Sequence, residues 1–198
     1  MQSQLRQKII VVKAVIHCIC ILLLVNEYWL ALNDGLGADP VEAVLHFTGI
    51  GALNLLIISL SITPVIRLFK FTSLINYRRM LGVYSFVYAL MHLLSFLAFE
   101  VQFDWRLFIT EIIERPYMTL GMAAIVILLS LTLTSTARVK RKMGKSWQKL
   151  HNWVYLAIIL ASVHFYMSVK SDVVQPIIYA TIVAILLWFR RKKFQKYL

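Results

Sequence analysis

Six apolar runs, at about 9–31, 44–63, 81–99, 117–136, 149–168 and 175–189, divide this 198-residue chain and leave it few folds to adopt. Several are close to the ~20 residues a helix needs to cross the hydrocarbon of a bilayer. Inside that hydrocarbon every backbone N–H and C=O must be satisfied by the segment itself or by a closed barrel, and runs of this length suit helices. The chain is 60% hydrophobic, well above the ~45–50% of ordinary soluble domains. The expected fold is an all-α membrane protein, a six-transmembrane-helix bundle forming one domain over residues 1–198. Pro64, Pro116 and Pro176 stand at run boundaries, where helices begin or end. No low-complexity stretch or internal repeat stands out. The N-terminal octet MQSQLRQK precedes a run too long for a signal-peptide core and lacks a small-residue cleavage site after it, so the first run is read as a retained helix.

Charge sets the orientation. Of the 21 Lys and Arg, 17 fall in segments 1–8, 67–79, 138–149 and 190–198. The alternate segments 32–43, 100–116 and 169–174 hold only Arg106, Arg115 and Lys170. Lys13 can snorkel to the side of the N-terminus. The positive-inside rule then places both termini in the cytoplasm. All nine acids (Glu27, Asp34, Asp39, Glu42, Glu100, Asp104, Glu111, Glu114 and Asp172) lie on the other side. The net charge of +12 is thus a topology signal with attraction to anionic membrane lipid, not the footprint of a nucleic-acid binder. Cys18 and Cys20, two positions apart on one helix, point to different sides and are read as packing residues rather than a disulfide.

Histidines carry the candidate chemistry. An ionisable side chain within a membrane segment is a functional hypothesis by default, and imidazole is the usual protein ligand of b-type haem iron. At about 1.5 Å per residue, His92 on the third run and His164 on the fifth reach similar depths in the outer half, as two axial ligands of one iron require. Positions three and seven before each are small: Ala89 and Ser85, then Ala161 and Ala157. This gives a haem plate room, and equally suits close helix packing. His151 lies at the inner boundary, 13 positions before His164 and rotated off its face. No histidine stands opposite it on the third run, where Arg78 and Arg79 sit, so His151 is a candidate second-haem ligand, propionate partner or electron-entry residue. His17 and His46 read as structural histidines. Arg78, Arg79 and Trp147 could hold and stack a flavin mononucleotide (FMN) at the inner surface, or simply anchor the interface.

With these residues placed, the chain resembles the ferric-reductase-type transmembrane domain, and more closely the MsrQ/YedZ family. That family comprises haem-binding membrane subunits of the bacterial periplasmic methionine sulfoxide reductase system. The likeness rests on GLGADPVE (35–42), HFTG (46–49), ITP (62–64), RRMLG (78–82), His92, ERPYMTLG (114–121), TST (134–136), GKSWQKLHNWVY (144–155), His164 and SVK (168–170). The resemblance implies haem b bound through His92, His164 and His151, with FMN as an associated cofactor. It implies a bacterial inner-membrane location. Electrons would pass from the quinone pool or a cytosolic flavin reductase to a periplasmic molybdopterin-containing catalytic subunit that repairs oxidised proteins. Arg79, where the wider superfamily has an inner histidine, favours one firmly ligated haem over two. The outer acids Asp34, Asp39, Glu42, Glu111 and Glu114 would form the partner's docking face. The rival readings are a ferric-reductase-type cytochrome b with another acceptor, and a non-redox channel or scaffold.

Overall fold

The computed structural model describes residues 2–169 and 172–190, and every regular element in them is helical. Lys170 of the sparse loop and Arg191, Lys192, Lys193 and Lys196 of the C-terminal basic cluster lie outside the described residues. The α-helices are α1 (Gln2–Leu32), α2 (Pro40–Phe69), α3 (Ile75–Ser95), α4 (Trp105–Glu114), α5 (Pro116–Leu133), α6 (Ala137–Met143), α7 (Lys145–His151), α8 (Val154–Ser168) and α9 (Val174–Phe189). Five segments are long and apolar enough to cross a membrane: Arg6–Leu32, Pro40–Phe69, Thr72–Glu100, Pro116–Leu133 and Lys145–Ser168. The chain is thus a multi-pass membrane protein. The sixth expected run is α9, apolar but only 16 residues long, or about 24 Å.

Local chemistry places the helix ends. Asp39 caps α2 by accepting from the Glu42 N–H at 2.9 Å, with Pro40 at the first helical position, where its missing N–H is harmless. Lys70 ends α2 in the left-handed region at φ 62°, returning its N–H to the Ile66 carbonyl. Pro116 opens α5 as expected. Pro64 does not end its run: it sits inside α2, which continues to Phe69. A proline there denies the Leu60 carbonyl its i+4 donor. The helix survives because Arg190 Nη2 donates to that carbonyl at 2.6 Å.

The span 100–116, read from sequence as a loop, contains α4. Asp104 caps it by accepting from the Arg106 and Leu107 N–H groups at 2.9 and 3.0 Å. Its Trp105, Leu107, Ile109 and Ile113 are exposed, as befits a helix lying at an interface rather than crossing it. The basic segment 138–149 is likewise helical, in α6 and α7, joined at Gly144 with φ 53°.

Within the bundle, α2 pairs most closely with α3 and α5 with α8. Ser85 and Ala157 are fully buried and Ala89 nearly so, and the Ser85 hydroxyl donates to the Ala52 carbonyl at 2.8 Å. Ser85 and Ala89 therefore let α3 approach α2 closely, the packing use of small side chains in membranes. By contrast α1 lies on the outside, held to α3 by Tyr88 to the Cys20 carbonyl, by His17 with Tyr84, and by Tyr28 with Ser95. Cys20 is buried there, Cys18 is exposed, and both are free.

The structure also reveals a duplication that the sequence hides. Leu45 and Tyr117, Gly49 and Gly121, and His92 and His164 are each 72 positions apart and play matching roles. The same offset carries buried Ala52 onto Ala124, Leu56 onto Leu128 and Ser85 onto Ala157. The α2–α3 pair thus recurs as α5–α8, facing its copy across the bundle.

Candidate functional site

The duplication brings His92 and His164 together, with ring centres 6.1 Å apart and planes at 87°. Each imidazole is fixed in the same way. His92 Nδ1 bonds the Leu45 carbonyl on α2 at 2.9 Å, and His164 Nδ1 bonds the Tyr117 carbonyl on α5 at 2.7 Å. A carbonyl can only accept, so each Nδ1 carries the proton and each Nε2 is the unprotonated, electron-pair-bearing nitrogen. Neither Nε2 has a protein partner among the described residues.

One turn beyond each accepting carbonyl stands a glycine, and the reason is steric. A Cβ on Gly49 would lie 3.1 Å from His92 Nδ1, and one on Gly121 would lie 2.8 Å from His164 Nδ1. Only a residue without a side chain lets the ring reach the backbone of the neighbouring helix. The Tyr117 ring adds a wall, its centre 5.8 Å from that of His164. Among the described residues no three His, Cys, Asp or Glu side chains cluster.

The other sequence-predicted residues fall elsewhere. His151, at the end of α7, stacks on Trp147 with ring centres 3.9 Å apart, and its Nε2 is 3.1 Å from Thr134 Oγ1. The Trp147 indole donates to the Thr134 carbonyl at 2.9 Å, and the Lys140 ammonium lies 4.6 Å over its ring. Trp147 is thus engaged with its own neighbours rather than standing clear for a flavin. Arg78 and Arg79 part company: Arg79 is exposed, whereas Arg78 is partly buried and interacts electrostatically with Arg190 and His151. His17 is exposed, its Nδ1 2.6 Å from the Tyr84 hydroxyl. His46 is exposed beside Phe165, ring centres 6.2 Å apart. Of the acids expected on the outer side, Asp39 serves as a cap and Glu111 pairs with Arg115 at 2.7 Å.

Sequence reasoning missed the backbone half of the site. The carbonyls of Leu45 and Tyr117 have no side-chain signature. The signal available was a glycine on each of two helices at the same distance before a membrane histidine.

A helical bundle with two carbonyl-anchored imidazoles side by side defines the candidate site, and comparison with known proteins gives the class of membrane domain. Residues 47–162 match the family described as ferric reductase like transmembrane component. The chain is 44% identical over 192 residues to the protein-methionine-sulfoxide reductase heme-binding subunit MsrQ of Salmonella arizonae, covering 96% of each. It is also 44% identical over 186 residues to the protein of that name in Salmonella dublin, covering 93% of this chain and 94% of the relative. The chain belongs to the MsrQ family, within the ferric-reductase-like transmembrane proteins.

Proposed function

We propose that the chain is a b-type haem electron-transfer subunit, with His92 and His164 as the two axial ligands of one iron. The observation that carries this is the paired imidazoles. Two metal–nitrogen bonds of about 2.0–2.1 Å plus two ring half-widths would put the centres of two rings holding one iron roughly 6 Å apart. The rings stand at 6.1 Å with both Nδ1 protons anchored on carbonyls, the outer bond that fixes tautomer and orientation in metal-ligating histidines. Gly49 and Gly121 hold that arrangement open, so the residues present fit the group.

When bound, haem supplies one-electron redox chemistry. The chain's own residues supply ligation, orientation and low dielectric. Two imidazole ligands would leave no open position on the iron, which favours electron transfer over oxygen chemistry. His151, with Trp147 and Thr134 around it, is a weaker candidate for a second haem or for the entry of electrons. FMN at Arg78, Arg79 and Trp147 has little geometric support, because Arg79 is exposed and Trp147 is already engaged.

We read this step as part of protein repair, on the strength of the relatives' name. In this reading the chain forms one six-crossing unit in the bacterial inner membrane with both termini cytoplasmic. Electrons enter from the quinone pool or a cytosolic flavin reductase and leave to a periplasmic molybdopterin-containing reductase of methionine sulfoxide. The acidic end, with Asp34, Glu42 and Glu114, is the docking face, and charge there mainly speeds encounter. Co-purification tests the partner: the reading expects a molybdenum-containing protein with the wild type, and a molybdenum-free partner contradicts it.

A further inference from the structure

A second polar cluster lies at the basic end of the bundle. Arg190, which closes α9, is only 5% exposed. Its Nη1 donates to the Tyr155 hydroxyl and its Nη2 to the Leu60 carbonyl, both at 2.6 Å. The second bond replaces the donor that Pro64 removed from α2. Arg190 Nε is then left buried without a partner among the described residues.

The one other buried side-chain polar atom without a partner among the described residues is Thr63 Oγ1. Thr63 lies three positions after Leu60, so it shares the face of α2 on which Arg190 docks. Arg78, on α3, adds a second guanidinium in electrostatic reach of Arg190 and His151. No carboxylate side chain answers them: none of the nine acids lies in the basic segments 1–8, 67–79, 138–149 or 190–198. Buried charges in proteins are paired, and an unpaired one is costly. A fixed Nε–H, a hydroxyl and a neighbouring guanidinium together describe a receptor for a compact anion.

We infer that Thr63, Arg78 and Arg190 form an oxyanion site at the basic end of the bundle, taking a single phosphate or carboxylate group. Two membrane-resident sources offer that chemistry: the phosphodiester of an anionic phospholipid, and a carboxylate on the edge of a bound porphyrin. The lipid source stands whether or not His92 and His164 ligate haem.

The test uses the full chain purified in neutral detergent, with Arg78→Gln, Arg190→Gln and Thr63→Val. In the first arm, native mass spectrometry compares retention of phosphatidylglycerol and phosphatidylcholine. In the second, the apoprotein is reconstituted with haem or with its dimethyl ester, whose carboxylates are blocked. A wild-type preference for phosphatidylglycerol, weakened roughly tenfold or more in the arginine variants, supports the site with a lipid phosphate in it. A preference for haem over the ester, erased in the same variants, supports it with a carboxylate. Arg190 also satisfies Leu60, so Arg78→Gln and Thr63→Val decide the matter should Arg190→Gln not fold. Folded variants that match wild type in both arms, with unchanged thermal midpoints, overturn the inference. A protein that binds no haem at all leaves the lipid arm intact and contradicts only the ligation of the histidine pair.

Discussion

Alanine at Gly121 is expected to disturb the histidine pair far more than alanine at Gly49, although the two glycines are related by the internal duplication. The new Cβ at Gly121 would sit 2.8 Å from His164 Nδ1, and ordinary contact begins near 3.4 Å, so the ring must retreat by about 0.6 Å. At Gly49 the starting distance is 3.1 Å and the retreat is about 0.3 Å. Overpacking of this kind costs about 1–3 kcal/mol, and with twice the retreat Gly121→Ala takes about 2 kcal/mol against about 1 kcal/mol for Gly49→Ala. It also stretches the 2.7 Å bond from His164 Nδ1 to the Tyr117 carbonyl, worth about 1 kcal/mol. The totals are about 3 kcal/mol at Gly121 and about 1 kcal/mol at Gly49. A difference of about 2 kcal/mol corresponds to roughly 30-fold in affinity for whatever the pair ligates. The assay is haem titration of the two apoproteins, followed in the Soret band, beside their thermal midpoints. Equal haem affinity in the two variants would refute the argument that the glycines exist to admit the rings.

Other outcomes follow from the same geometry. Ile158 is fully buried, and Ile158→Ala is expected to cost about 2–5 kcal/mol, read as a lower thermal midpoint; a loss under about 1 kcal/mol contradicts its place in the core. In a double-mutant cycle, Pro64→Ala should soften the cost of Arg190→Gln, because it returns an N–H to the Leu60 carbonyl. Strict additivity would mean that Arg190 is not filling that gap. In cells, Asp34→Cys should react with a membrane-impermeant thiol reagent from outside, while Lys142→Cys should not. Labelling of both from one side would rule out the six-crossing topology.

The sequence was most informative where chemistry is concentrated in single side chains. The apolar runs outlined the membrane helices, and the depths of His92 and His164 singled out the two rings that meet. It was least informative where the backbone acts. Pro64 looked like a helix end because the donor that rescues the Leu60 carbonyl, Arg190, lies 130 positions away in the chain. The α4 helix hid behind the charge of its loop, although Asp104 ahead of an apolar-periodic stretch is a capping signal that a closer reading would have caught. The duplication escaped because few identities survive the 72-residue offset, Gly49, Ala52, Leu56, Ala89 and His92 among them. Arg78 and Arg79 were indistinguishable as neighbours in sequence, and only the turn of α3 separates the inward one from the exposed one.

The most direct measurement is haem per polypeptide, with the reduced absorption spectrum, in purified wild type, His92→Ala, His164→Ala and His17→Ala. A b-type spectrum in wild type and in His17→Ala, with most haem lost in each of the other two, is the expected result. Full haem in His92→Ala and His164→Ala, or no Soret band in the wild type, would contradict it.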